Sequence, residues 1–208
     1  MEEKISGLIE NWQKRNIRGS YCQDKEEAAG GILRAIPLSA SVGISGSVTL
    51  DQIEIVRRLE GRGNQVFNQY RSGIDRQESM ALRQKGASAD FYLTGVNAIS
   101  QKGELVFFSA YGNRTCGIAN ARKVIVVAGI NKIVPDVDSA LRRAREYATP
   151  MNCRRLNYDT PCFKDGICQK EICLFPEYKR MCCQILILEA EVSLDRLEVI
   201  LVGENLGF

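Results

Sequence analysis

Residues 89–132 read ADFYLTGVNAISQKGELVFFSAYGNRTCGIANARKVIVVAGINK, and they contain three short apolar runs, at Phe91–Leu93, Leu105–Phe108 and Val124–Ala128. Each run is rich in β-branched or aromatic residues and is followed by Gly or Asn, a pattern typical of strands that end in loops. Every residue of Val124–Ala128 is apolar, which indicates an inner parallel strand that is buried on both faces. We therefore predict that the three runs form the centre of an α/β sheet. The loops beyond their C-terminal ends would make one site.

Helices and strands alternate along the rest of the chain. Apolar residues at helical spacing predict one helix over the first 16 residues and later helices that begin near Asp24, Thr49, Asp75 and Asp136. Short apolar segments predict strands at 17–22, 41–44, 184–190 and 197–202, and Gly-rich residues 61–73 predict a surface loop. This alternation predicts an α/β fold with a mainly parallel sheet.

The overall composition limits the class of partner. The net charge of +3 is too small to imply nucleic-acid binding. No apolar run approaches the roughly 20 residues of a membrane helix, and the acidic N-terminus lacks the apolar core of a signal peptide. We expect a cytoplasmic protein whose thiols are reduced.

The chain contains 8 cysteines and no histidine. The lack of histidine excludes a Ser-His-Asp triad, a Cys-His dyad and a His-ligated metal. Acid–base chemistry would therefore have to come from Glu, Asp, Lys, Tyr or Cys.

A Gly/Ser loop, Ser45-Gly46-Ser47, follows the strand predicted at 41–44 and precedes a helix that has Thr49 in its first turn. Backbone N–H groups, hydroxyl groups and the helix dipole could together bind an anion. Gly/Ser loops are common, so the alternative is a plain turn with a helix cap.

Further polar residues follow the central strands, and we expect them to line the same site: Thr94, Asn97, Asn113, Arg114, Asn131 and Lys132. The amides would orient an anionic ligand, and Lys132 or Arg114 would neutralise its charge. Glu104 is the candidate base or nucleophile because no histidine is present. The alternative for Glu104 is a solvent-facing residue at the turn formed by Gln101-Lys102-Gly103.

Six of the cysteines lie between Cys153 and Cys183, in a segment with turn-forming residues and no periodic apolar pattern. Four thiolates on one metal ion or cluster would replace the core that such a segment lacks. The candidate ligands are Cys162, Cys168, Cys173 and Cys182, and Cys153 or Cys183 could replace one of them. Zinc sites normally contain C-x2-C pairs, which are absent here, whereas a 4Fe-4S cluster accepts more varied spacing. Free thiols and disulfides are the remaining alternatives.

Taken in order, a set of motifs resembles the lactate-utilisation (LUD) domain family nearly end to end. The motifs are residues 42–50, Ala89-Asp90, Leu93-Thr94, Asn97-Ala98-Ile99, residues 103–106, Gly112-Asn113-Arg114, residues 123–129, residues 131–134, Thr160-Pro161-Cys162 and residues 200–208.

The resemblance implies a three-layer αβα fold similar to ribose-5-phosphate isomerases, formyltetrahydrofolate cycloligases and CoA transferases. It also implies a link to lactate oxidation through iron–sulfur proteins. The chain looks like short stand-alone members, with one domain over residues 1–208 and residues 150–183 as a Cys-rich insert or appendage. Such members commonly have a closer cysteine pair than Cys168 and Cys173.

Three functions fit these features. The first is an accessory or electron-transfer protein of lactate or other 2-hydroxy-acid utilisation, which would carry an iron–sulfur cluster and contact iron–sulfur oxidoreductase subunits. The second is an enzyme or sensor for a small anionic ligand, such as a phosphorylated or CoA-linked carboxylate, in a cleft from Ser45 to Lys132. The third is an assembly protein that zinc holds together.

Overall fold

A computed structural model describes residues 2–208 of the chain. In chain order the strands are β1 (Arg18–Cys22), β2 (Val42–Ile44), β3 (Val66–Phe67), β4 (Phe91–Gly95), β5 (Ala98–Ser100), β6 (Leu105–Ser109), β7 (Lys123–Gly129), β8 (Ile133–Val134), β9 (Gln184–Leu188) and β10 (Leu197–Val202). The helices are α1 (Glu2–Lys14), α2 (Lys25–Ala35), α3 (Val48–Gln52), α4 (Ile55–Arg62), α5 (Arg76–Ala87), α6 (Asn113–Asn120), α7 (Val137–Arg143), α8 (Thr149–Arg155) and α9 (Pro161–Asp165). The helix predicted over the first 16 residues is α1, and Met1 lies outside the described residues.

The main sheet has six parallel strands in the order β1-β10-β7-β4-β2-β3. As predicted, β7 is central, and all of its residues except Lys123 are buried. Ile125 and Val127 pack in a core with α2, α3 and α4, whereas Val124 and Val126 pack in a second core with α1 and α6. Helices on both faces confirm the three-layer αβα fold.

A second sheet, in the order β8-β5-β6-β9, corrects the prediction that all three apolar runs belong to the central sheet. Leu105–Phe108 lies in β6, which pairs antiparallel with β5 and β9. The reason is the turn before β6, where Gly103 adopts a φ of +108° and reverses the chain directly after β5. A hairpin of this kind makes neighbouring strands antiparallel, so β6 pairs with β5 in the second sheet instead of with a parallel strand of the main sheet.

Two smaller features complete the architecture. Residues 61–73 include the two-residue strand β3, which pairs with β2, in addition to the predicted loop. Residues 166–183 follow α9 as turns that lead into β9. Among residues 2–208, the helices lack the length and apolar character needed to cross a bilayer.

Close packing of β2 against α5 generates a stability prediction. A Cβ atom built on Gly43 would lie 2.0 Å from the backbone oxygen of Gly86. Because this backbone cannot rotate away as a side chain can, we expect Gly43→Ala to lower the free energy of unfolding by about 1–3 kcal/mol or more. Urea denaturation under reducing conditions would measure the change.

Gly61→Ala is the matched control, because Gly61 lies in α4 and a Cβ atom there would have no neighbour within 4 Å. We expect this substitution to raise the free energy of unfolding by about 0.5–1 kcal/mol, through helix propensity. Equal unfolding midpoints for the two variants would contradict the packing argument.

Candidate functional site

A cavity of about 330 Å³, here called the large cavity, lies beyond the C-terminal ends of β2, β4 and β7. This is the edge at which open parallel sheets bind ligands. Seven of the predicted ligand-binding residues line it: Gly46, Ser47, Thr49, Asn97, Asn113, Arg114 and Lys132. The sheet topology therefore brings together loops that are far apart in the sequence.

Three predicted ligand-binding residues lie outside the lining of the large cavity and hold its loops together. The hydroxyl oxygens of Ser45 and Thr94 are 2.8 Å apart, and both residues are buried. The side-chain oxygen of Asn131 accepts a hydrogen bond from the backbone N–H of Leu206, and its amide nitrogen donates to Gly207. These side chains already have protein partners, which indicates a structural role.

The Gly/Ser loop is also partly occupied by protein partners. Ser47 caps α3 by accepting a hydrogen bond from the backbone N–H of Leu50. The backbone N–H of Gly46 donates to the hydroxyl of Tyr70 at 2.8 Å. Since α3 spans only five residues, its dipole adds little, and most of the positive charge in the large cavity comes from side chains.

Lys132 is a buried cation of the large cavity, and it lies in the 3-10 turn Ile130–Lys132 directly after β7. The residue is only 3% exposed, and its Nζ atom donates a hydrogen bond of 2.9 Å to Thr49 Oγ1. Burial, together with the positive charges of Arg114 and Arg143, lowers the pKa of Lys132 to about 7. A substantial fraction of this amine is therefore unprotonated near neutral pH.

Arg114 joins three loops around the large cavity. Its Nη1 atom donates to Asn97 Oδ1 at 2.6 Å and to the Phe108 carbonyl at 3.3 Å, and Nη2 donates to the Gly46 carbonyl at 3.0 Å. Asn97 Oδ1 also accepts from the backbone N–H of Phe108. Arg114 thus connects the loops after β2 and β4 to strand β6, while its charge remains at the wall of the cavity.

Several lining residues were not predicted, including Tyr70, Arg83, Arg155 and Tyr158. Arg83 comes from α5, where its guanidinium carbon lies 4.7 Å from the centre of the Tyr111 ring. Arg155 comes from α8, and its guanidinium group donates to Asn152 Oδ1. No local motif marks these residues, because they reach the cavity only through the packing of the loop 61–73, of α5 and of the Cys-rich segment.

Glu104 does not line the large cavity. Its carboxylate accepts hydrogen bonds from Ser100 and Arg15 in the turn between β5 and β6. Burial opposes ionisation of Glu104, but the hydrogen bonds and the Arg15 charge outweigh it and lower the pKa of this carboxyl group. A catalytic role for Glu104 stays a prediction, and its position gives that role no support.

The four predicted metal ligands, Cys162, Cys168, Cys173 and Cys182, line one small cavity of about 20 Å³, here called the cysteine cavity. Arg145, Lys170 and Arg180 line it as well. Within residues 2–208, no three Cys, Asp or Glu side chains have a geometry that could hold a metal ion. Four cysteine thiols are the right ligands for an iron–sulfur cluster or a zinc ion, but they would have to move closer together to bind either of them.

The two alternative cysteine ligands lie outside the lining of the cysteine cavity. Cys153 is fully buried in α8, and a hydrogen bond from it lowers the pKa of Cys162 to about 6. Cys183 is exposed, and its thiol lies 3.1 Å from the Arg180 carbonyl.

The two cavities are neighbours. Thr149 and Met181 line both of them, so the Cys-rich segment forms part of the wall of the large cavity.

The buried amine of Lys132 generates a prediction about pH and stability. The unfolded side chain has a pKa of 10.5 and the folded one about 7, so between these values the unfolded state binds more protons. The free energy of unfolding should therefore rise with pH in this window, by at most about 1.4 kcal/mol per pH unit. Below about pH 7, Lys132 is protonated in both states, and the destabilisation caused by burying its charge should reach its full value.

Urea denaturation from pH 6 to 9, in buffer without phosphate or carboxylates, would measure this effect. Lys132→Met should remove the rise relative to wild type, since every other titrating group is common to both proteins. Lys123→Met, at the exposed start of the same strand, should keep it. Parallel pH profiles for wild type and Lys132→Met would refute the prediction.

Comparison with solved structures supports the fold. A DUF162 family protein from Deinococcus radiodurans superposes with a TM-score of 0.56, covering 97% of this chain and 98% of that chain at 13% identity. The eIF2B beta protein from Chaetomium thermophilum covers 64% of this chain and 44% of that chain, at 18% identity and a TM-score of 0.33, which is too low to support an argument. No curated protein matches the sequence.

The sequence comparison identifies the family. The LUD domain matches residues 5–202, which include all ten strands and the lining of both cavities except the last two residues of the chain. The family is linked to lactate utilisation. The chain therefore belongs to the LUD domain family.

Proposed function

We propose that this protein binds a small anionic ligand in the large cavity and acts in the utilisation of lactate or a related 2-hydroxy acid. The observation that carries the proposal is the charge of the lining. Lys132, Arg114, Arg155 and Arg83 contribute positive groups, and within residues 2–208 no Asp or Glu side chain lines the cavity. Lys132 is buried, and Arg114 and Arg83 are partly buried. Because the ion pairs found within residues 2–208 give these three cations no carboxylate partner, they favour an anion, which would compensate their desolvation.

The size and the other lining residues narrow the class of ligand. A volume of about 330 Å³ lies at the lower end of the range for small-molecule sites. Val96, Phe108 and Leu156 offer an apolar wall, whereas Asn113 and Asn152 offer amides. Arginine pairs well with carboxylate and phosphate groups. A short carboxylate, alone or as the reactive end of a phosphorylated or CoA-linked compound, fits this combination.

Isothermal titration with lactate, pyruvate, inorganic phosphate and CoA would test the proposal. We expect at least one anion to bind, and we expect Lys132→Met to weaken its affinity at least about tenfold, equivalent to about 1.4 kcal/mol. Lys123→Met removes a lysine from the opposite end of β7 and should leave affinity unchanged. The proposal fails if none of the anions binds or if Lys132→Met binds as well as wild type.

A second candidate function is electron transfer through a 4Fe-4S cluster on Cys162, Cys168, Cys173 and Cys182. Its support is the convergence of these four thiols on one cavity, where Arg145, Lys170 and Arg180 would oppose the negative charge of a thiolate-ligated cluster. When bound, such a cluster would exchange single electrons with iron–sulfur partner subunits. The cysteine residues would hold the cluster, and the three basic residues would favour its more negative, reduced state.

Metal analysis of protein purified without oxygen would test this second function. We expect about four irons per chain and a broad visible absorption band, both lost in Cys168→Ser. Cys116→Ser is the control, because Cys116 is exposed in α6 and does not line the cysteine cavity. One zinc per chain without iron would support the zinc-stabilised assembly protein instead, and no metal at all would contradict both.

A further inference from the structure

The amine of Lys132 has an environment suited to a nucleophile. Its Nζ atom donates a hydrogen bond to Thr49 Oγ1, and the Thr49 hydroxyl lies 3.4 Å from the Leu206 carbonyl oxygen, to which it donates. Thr49 therefore accepts from the lysine, which leaves the lone pair of the unprotonated amine free for the cavity. Within residues 2–208, Lys132 forms no ion pair with a carboxylate.

The groups around Lys132 keep this amine reactive at neutral pH. Burial is the main cause of the lowered pKa of Lys132, and the positive charges of Arg114 in α6 and Arg143 in α7 add to it. An exposed lysine with a pKa near 10.4 is almost fully protonated at pH 7, whereas the lowered pKa of Lys132, about 7, gives this amine a far larger unprotonated fraction at the same pH. Only the unprotonated amine is a nucleophile.

The neighbouring guanidinium groups would bind the anionic group of a ligand and take no part in bond formation. Arg114 and Arg155 line the same cavity, and a guanidinium group pairs well with a carboxylate or phosphate group. A ligand that uses both kinds of group must carry an anionic group for arginine and an electrophilic carbon for the amine. Anionic aldehydes and ketones meet both requirements, and they include the 2-oxo acids that form when 2-hydroxy acids are oxidised.

We propose that Lys132 is a nucleophile that condenses with the carbonyl carbon of a 2-oxo acid or another anionic aldehyde or ketone, and holds it as an imine in the large cavity. The inference deepens the proposed anion-binding function and depends on it. It names the class of ligand, and it gives the unprotonated form of Lys132 a covalent role beside the electrostatic role of the protonated form.

The step balances without an oxidant or reductant. The Nζ lone pair forms the C–N bond, and the carbonyl π electrons move to oxygen, which takes up a proton as the nitrogen loses one. Loss of water then gives the C=N bond, and hydrolysis reverses the reaction. Thr49 acts as a positioning residue, because its hydrogen bond holds Nζ at the cavity wall.

Reductive trapping would test the inference. Wild-type protein would be incubated at pH 7 with glyoxylate or pyruvate and sodium cyanoborohydride, which reduces an imine to a stable secondary amine, and the modified lysine would be located by peptide mass spectrometry. We expect Lys132 to be labelled at least about tenfold faster than exposed Lys123. The rate should rise with pH and level off above about pH 7, as the amine loses its proton.

Two comparisons make the result specific. Lys132→Arg should abolish the fast labelling, whereas Lys123→Arg should retain it. The ratio of Lys132 labelling to Lys123 labelling should be lower with acetone, a neutral ketone, than with pyruvate, because acetone has no anionic group for the arginines. Using this ratio removes the difference in intrinsic reactivity between the two carbonyl compounds. Equal labelling of Lys132 and the exposed lysines, or no adduct on Lys132, would overturn the inference.

The same samples distinguish the inference from the proposed function. Lactate and phosphate have no carbonyl carbon that can form an imine. If they bind in a Lys132-dependent manner while pyruvate leaves no adduct, anion binding stands and the covalent role is wrong. If no anion binds and no adduct forms, both proposals are wrong.

Discussion

Burial of β7 on both faces is the constraint on which the rest of the structure depends. A strand with apolar residues at every inner position needs a layer of helices on each side, and the alternate side chains Ile125 and Val127 enter one core while Val124 and Val126 enter the other. The parallel neighbours β4 and β10 extend both cores. Because the chain leaves β7 directly into the turn that carries Lys132, this central strand also fixes the position of the buried amine.

Polar side chains hold the parts of the site together, and Arg114 makes three of these hydrogen bonds. Its guanidinium group binds the loops after β2 and β4 to strand β6, which makes this part of the cavity wall a single hydrogen-bonded unit. Arg143 adds hydrogen bonds to the carbonyl oxygens of Asn97 and Asn131 from behind that wall. A cation in such a network is pre-organised for a ligand, since little side-chain entropy remains to be lost on binding.

The sequence predicted the parallel strands and most of the cavity because both depend on local patterns. Val124–Ala128 in β7 is an unbroken apolar run, and the Asn, Arg and Lys residues lie within a few positions of strand ends. The placement of β6 in a second sheet depended on the geometry of one turn at Gly103, which the apolar pattern does not encode. Arg155 and Tyr70 were missed because they reach the cavity through tertiary packing. Glu104 was chosen as a candidate base or nucleophile from its residue type alone. Its side chain is hydrogen-bonded at the turn between β5 and β6, away from the large cavity.

Thr149 and Met181 line both the large cavity and the cysteine cavity, and Met181 is the direct sequence neighbour of Cys182. Because the large cavity and the cysteine cavity share these two residues in their walls, we expect a change in the shape of one cavity to affect the other. An occupant that drew the Cys182 sulfur inward would act on the backbone next to Met181, and a shift of the Met181 side chain would alter the space open to a molecule in the large cavity. Because coupling free energy is reciprocal, occupation of the large cavity would alter the affinity of the thiols for their own occupant by the same factor.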